Sequence, residues 1–180
     1  MKFTLRTLLA VCSLALAGTT LAEGKVADPS KFVTTHVSVT GAVEHSLNLS
    51  VDDLRKFPPQ QVGEVPLVCQ SGANMGKLEN FKGVLLRDIL EKAKVKAPEH
   101  NDVKKLAVIA SASDGYKVVF SWTEIFNSPN GEGVIVFFEK DGQPLADDEG
   151  RIAMVSSKDT RTGPRHVKWL QGIEVRKIVD

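Results

Sequence analysis

Apolar and polar residues alternate from Val37 to Val43 in "HVSVTGAV", the two-residue period of a strand with one buried face. Ser50 then opens "SVDDLRKF", where Ser-x-x-Asp predicts a capped short helix. "QVGEVPLVCQ" reads as extended, with Pro66 confining its first half to a sheet edge or a bulge. From Val84 to Ala93 the period changes: Leu86, Ile89, Leu90 and Ala93 fall on one helical face, which makes this the strongest helix in the chain. "KLAVIASASDGYKVVFSW" predicts two strands around Asp114-Gly115, a dipeptide suited to tight turns. "GVIVFFEKDGQPL" is a strand entering a second Asp-Gly turn, "RIAMVSS" is another, and Ile173 to Ile178 closes the chain. Strands outnumber the interspersed short helices, so the pattern predicts an α+β domain built on a mixed β-sheet or sandwich.

The first 22 residues stand apart. Lys2 and Arg6 precede an apolar stretch that gives way to Thr20-Leu21-Ala22, the pattern of a secretory signal peptide cleaved near Ala22. The stretch is short for a bilayer span, and the polar "EGKVADPSK" after it carries no stop-transfer pattern, so no membrane span is expected after leader cleavage. The expected organisation is a signal peptide over 1–22, a linker over 23–35 and one domain over 36–180, in an exported, periplasmic protein. Cys12 is poorly placed for lipid attachment, because Val11 stands where a small residue is wanted.

Composition narrows the function. Lys2 and Arg6 leave with the leader, so 21 basic residues face 22 acidic ones, a balance that argues against nucleic acid as a partner. Cys69 becomes the one remaining thiol, and no internal disulfide can form. His36, His45, His100 and His166 are scattered without ligand spacing, which disfavours zinc. A lone cysteine is often a small buried hydrophobe. The small, polar "QSGANMG" that follows points instead to a turn in which Gly72 and Gly76 let the backbone approach a ligand, at a pocket mouth or on a surface hairpin.

Four separated motifs resemble the sulfite-oxidase-type molybdopterin-binding domains: "VCQSGANMGKLENFKGVLLRDIL", "VSVTGAV" with "LSVDDLRKF", "SDGYKVVFSW" and "GPRHVKWLQGIEV". They occur in the family's order over nearly the whole mature chain. The resemblance implies that family's fold and a pterin pocket, with Cys69 where the enzymes place the sulfur that ligates molybdenum. It also implies ligand contacts from Gln70, Ser71 and Asn74 beside the cysteine, from Ser111, Ser113 and Tyr116 at the Asp-Gly hairpin, and from Ser156, Ser157, Asp159 and Arg161 as ring-edge partners. Arg165 and Lys168 match positions near a phosphate tail, and Trp169 either stacks on the ligand or packs against the sheet.

The chain differs from the enzymes in two ways. It has only "EGKVADPSKFVTTH" between the leader and the opening strand, and no arginine between Cys69 and Arg87 to receive an oxyanion. Small exported domains of this pattern resemble periplasmic regulators that bind a metal-free pterin and signal to a membrane-bound partner controlling cyclic-di-GMP. The leading expectation is therefore a pterin-binding signalling protein that is not an enzyme. The alternatives are a molybdenum-cofactor oxidoreductase with Cys69 as the metal ligand and a separate redox partner, and an adaptor domain that binds no ligand.

Overall fold

The computed structural model describes residues 28–178, so the predicted leader and the start of the linker lie outside the described residues. Among the described residues, eleven strands form two sheets around three short α-helices. β1 (His36–Gly41), β2 (Leu47–Ser50), β5 (Leu106–Ala112), β6 (Lys117–Ser121) and β11 (Leu170–Lys177) make the first, in the order β2-β1-β11-β5-β6. β1 runs parallel to β11, and the other neighbours are antiparallel. The second sheet contains β3 (Gln60–Val68), β4 (Asn74–Leu85), β7 (Val134–Lys140), β9 (Ala153–Ser156) and β10 (His166–Val167), in the order β10-β9-β7-β4-β3. A two-residue strand, β8 (Gln143–Pro144), folds back on β7 after the Asp141-Gly142 turn.

The larger core lies between the sheets. β7 shows how it is built: Val134, Val136 and Phe138 face this core, while Ile135 and Phe137 point the other way into a second cluster with Val65, Leu78, Phe81, Leu85, Leu145, Ala153 and Val155. Alternate residues point to opposite faces of a strand, so an unbroken apolar run such as "VIVFF" marks a strand covered on both sides. The Phe81 and Phe137 rings meet at 5.0 Å and 54°, a tilted geometry that adds about 1 kcal/mol beyond burial alone. The second sheet curls over this inner cluster until the loop between β9 and β10 reaches β3: Thr162 hydrogen-bonds to Pro66 and Val68.

The helices follow from local chemistry. α1 (Val51–Leu54) begins at the predicted capping box, in which the Ser50 hydroxyl accepts from Asp53 N–H and the Asp53 carboxylate accepts from Ser50 N–H. α2 (Leu86–Ala93) buries Leu86, Ile89, Leu90 and Ala93 as their spacing required, but it starts two residues later than predicted. Val84 and Leu85 complete β4, each turned into a different core cluster, and that two-sided burial holds them extended. α3 (Trp122–Phe126) is capped by the Ser121 hydroxyl, which accepts from Glu124 N–H.

Two other expectations shift. The closing strand begins at Leu170, three residues before Ile173, because Leu170 already pairs with Ala112. β4 begins at Asn74, inside the segment read as a turn at a pocket mouth or on a surface hairpin. Its first residues pair only with the edge strand β3, so the backbone ladder holds them while their side chains remain in water.

Candidate functional site

Cys69 follows the last residue of β3, at the tip of an exposed hairpin leading into β4. The turn is tight: Cys69 N–H donates to Ala73 C=O and Gly72 N–H donates to Cys69 C=O, both at 2.9 Å. Gly72 has a φ of +94°, a conformation that a side chain would strain. The thiol is free and half-buried. The backbone N–H and the hydroxyl of Ser71, with help from Gln70 N–H, outweigh burial and hold it below the ordinary thiol range. A sulfur with more thiolate character is a better nucleophile and a better soft-metal ligand.

The loop between β9 and β10 packs against this hairpin. A methyl group at Gly72 would lie 3.1 Å from an Arg161 guanidinium nitrogen, and one at Gly163 would lie 3.0 Å from the Val68 carbonyl and 3.4 Å from Met75 Sδ. Arg161 is exposed and has no carboxylate partner among the described residues. The β5–β6 turn closes the group, since the Tyr116 hydroxyl donates to Pro164 C=O at 2.6 Å. Cys69, Gln70, Ser71 and Asn74 thus share one hairpin, with Arg161 beside Gly72 and Tyr116 bonded to the same loop at Pro164. Asn74 partly serves the turn, accepting from Gly76 N–H at 2.8 Å.

The other candidate residues are engaged elsewhere. Arg165 is paired with Asp159 and Glu124 and lies 4.5 Å from the centre of the Phe120 ring. Ser156 is fully buried and donates to Asp159, while Ser157 donates to Gly133 C=O. Ser111 donates to Gly172 C=O and Ser113 to Phe32 C=O. Lys168 lies 3.4 Å from Glu149, which also holds His166. Trp169 is 5% exposed, donates to Asp147 C=O at 2.7 Å and packs against Phe32, which leaves it in the sheet-packing role. Tyr116, Lys168 and one edge of Trp169 share a shallow cavity of about 170 Å³ with Asp114 and His166.

Three contributors are not singled out by the sequence, and two of them leave little mark in it. Thr162 is one more hydroxyl in a polar loop, and Glu149 is one more acid in "ADDEG". Glu124 had a readable signal, because Ser121-x-x-Glu124 matches a helix-start pattern.

A pterin carrying molybdenum and a phosphate asks for a thiolate and for free cations. Cys69 offers a sulfur whose thiol is held below its ordinary range by Ser71. On the phosphate side Arg165 and Lys168 face carboxylates, and Arg161 is a cation beside the hairpin without a carboxylate partner among the described residues. No group of three or more His, Cys, Asp or Glu side chains among the described residues could hold a metal ion. The site therefore fits the sulfur end of such a group and does not fit its phosphate end as the motifs implied.

Comparison with known proteins places the fold. Among solved structures, the sulfane dehydrogenase SoxCD from Paracoccus pantotrophus aligns with a TM-score of 0.60 at 19% identity, over 83% of this chain and 39% of that one. That likeness concerns the fold, and this chain spans well under half of the SoxCD chain. No curated protein matches. The family model for the oxidoreductase molybdopterin binding domain matches residues 24–179, nearly the whole chain. By that match, the chain belongs to the oxidoreductase molybdopterin-binding domain family.

Proposed function

We propose that this chain is an exported pterin-binding protein that holds a metal-free pterin against the Cys69 hairpin and presents its loaded state to a membrane-bound signalling partner, of the kind that controls cyclic-di-GMP. The family supports a pterin as ligand. The observation that favours a pterin without a phosphate tail, and so one other than the phosphate-bearing molybdenum cofactor, is the commitment of Arg165 to Asp159 and Glu124, which takes the best phosphate fork out of play. The flat ring then lies on an open face, with Arg161 and the amide nitrogen of Asn74 available at its edge. Signalling requires that the loaded form fit the partner better than the empty form, since a ligand shifts only an equilibrium in which it binds the two states differently. A pterin titration of the intact protein, followed by fluorescence, tests the reading. Wild type binds, and Arg161→Ala binds about tenfold more weakly, a loss of about 1.4 kcal/mol. Absence of binding by wild type overturns the proposal.

A second reading, a molybdenum oxidoreductase served by a redox partner, is supported by the lowered Cys69 thiol. In it Cys69 supplies the thiolate ligand. Protein made in a host that produces the cofactor would then carry about one molybdenum per chain and lose it in Cys69→Ala. Metal-free protein from such a host rules it out.

A further inference from the structure

Thr162 is 3% exposed, although it lies in a loop of charged and polar residues. Its hydroxyl donates to Pro66 C=O at 2.5 Å and accepts from Val68 N–H at 2.9 Å. β3 is an edge strand, and its ladder with β4 shifts register between these same two residues. An edge leaves backbone groups without partners, and a proline at the edge supplies a carbonyl but no N–H. One hydroxyl, acting as donor and acceptor, meets both needs within the three residues before the thiol.

We infer that Thr162 is the positioning residue of the Cys69 hairpin: its hydroxyl stands in for a neighbouring strand at Pro66 and Val68 and fixes where the thiol sits relative to Arg161. Its chain neighbours complete the grip. Arg161 lies over Gly72, and Gly163 is pressed against the Val68 carbonyl so closely that a methyl there would stand 3.0 Å from it. The gripping loop is itself anchored away from the hairpin. Arg165 binds Asp159, Ser156 binds Asp159, and Pro164 accepts from Tyr116. The five-residue turn has only two main-chain hydrogen bonds of its own, both involving Cys69. Without an outside anchor, a hairpin tip of this kind is drawn from the low-stability end of a fold. The Ser71 and Gln70 groups that favour the thiolate act only while the turn keeps its shape.

The inference rests on the proposed function only in taking the Cys69 hairpin as the ligand-facing element, and its test needs no ligand. The rate of Cys69 alkylation by iodoacetamide is measured against pH in the full-length protein, with peptide mass spectrometry to assign the residue. Wild type and Thr162→Ser react at lower pH than an ordinary thiol. Thr162→Val keeps the shape but removes both hydrogen bonds, so its profile moves toward the ordinary range and its rate at pH 7 falls about threefold or more, as thiolate fraction governs the rate. Ser71→Ala gives a shift in the same direction. A folded Thr162→Val protein whose profile superimposes on wild type overturns the inference. Hydrogen exchange in wild type gives a second reading that does not depend on the valine variant folding. The Val68 amide is expected to exchange about a hundredfold more slowly than an unprotected one, and exchange at the unprotected rate overturns the inference equally. Failure of pterin to bind would leave both results standing, which separates this inference from the function proposed above.

Discussion

Arg165 holds Asp159 through two 2.6 Å hydrogen bonds, Nε to Oδ2 and Nη2 to Oδ1, while its third nitrogen reaches Glu124 at 2.7 Å. The Arg165, Asp159 and Glu124 side chains are 21%, 9% and 25% exposed, so this triad is partly buried. It ties the loop that grips the Cys69 hairpin to α3 and, through Ser156, to the end of β9. Arg165→Ala leaves two carboxylates facing each other without a counter-charge. Breaking a fully buried pair from one side costs about 3 kcal/mol, and this partly buried triad should cost less than that, read as a lower urea midpoint. Arg165→Lys keeps the charge but loses the planar fork, and falls between. An alanine variant as stable as wild type would show that the triad is not structural.

Gly83 lies at a register shift in the β4–β7 ladder, where an added methyl group would meet the Val136 carbonyl at 2.3 Å and Phe137 Cα at 2.7 Å. Its backbone conformation is ordinary, so the requirement for glycine comes from the close approach of β7. Gly83→Ala should destabilise the fold by about 1–3 kcal/mol, the usual cost of overpacking. Thermal unfolding measures it, and an unchanged midpoint would contradict the close approach.

Much of this architecture could be read from the sequence because the elements agree with their local chemistry. The Ser50 capping box, the Leu86-Ile89-Leu90-Ala93 stripe and both Asp-Gly turns each formed where the pattern placed them. What escaped depends on contacts between distant residues. Nothing in "NMGKLENF" marks a strand at its polar end, since that end is defined by pairing with β3. Arg165 looked like a free cation because its partners, Asp159 and Glu124, lie 6 and 41 positions away and meet it only in the folded chain. Trp169 could stack on a ligand or pack on the sheet, and only the position of Phe32 and Asp147 decides for packing.

Glu149 gives the fold a pH dependence. Burial alone would raise its carboxyl, but the His166 hydrogen bond and the charges of His166 and Lys168 outweigh it and hold the group below the ordinary range. A carboxyl whose proton leaves more readily in the folded chain contributes stability that is fully present above the unfolded value near 4.5 and is lost as pH falls through the lower folded one. Glu149→Gln should therefore be less stable than wild type at pH 7 and lose less stability between pH 5 and pH 3. Chemical unfolding across that range checks it, and parallel curves for the two proteins would contradict it.

The proposed function is tested most directly by what the native protein carries when recovered from the exported fraction. Absorbance, fluorescence and mass spectrometry of the released small molecule, with metal analysis on the same sample, should find a pterin approaching one per chain and molybdenum far below that. Protein that carries no pterin, and takes up none when pterin is added, would contradict the account.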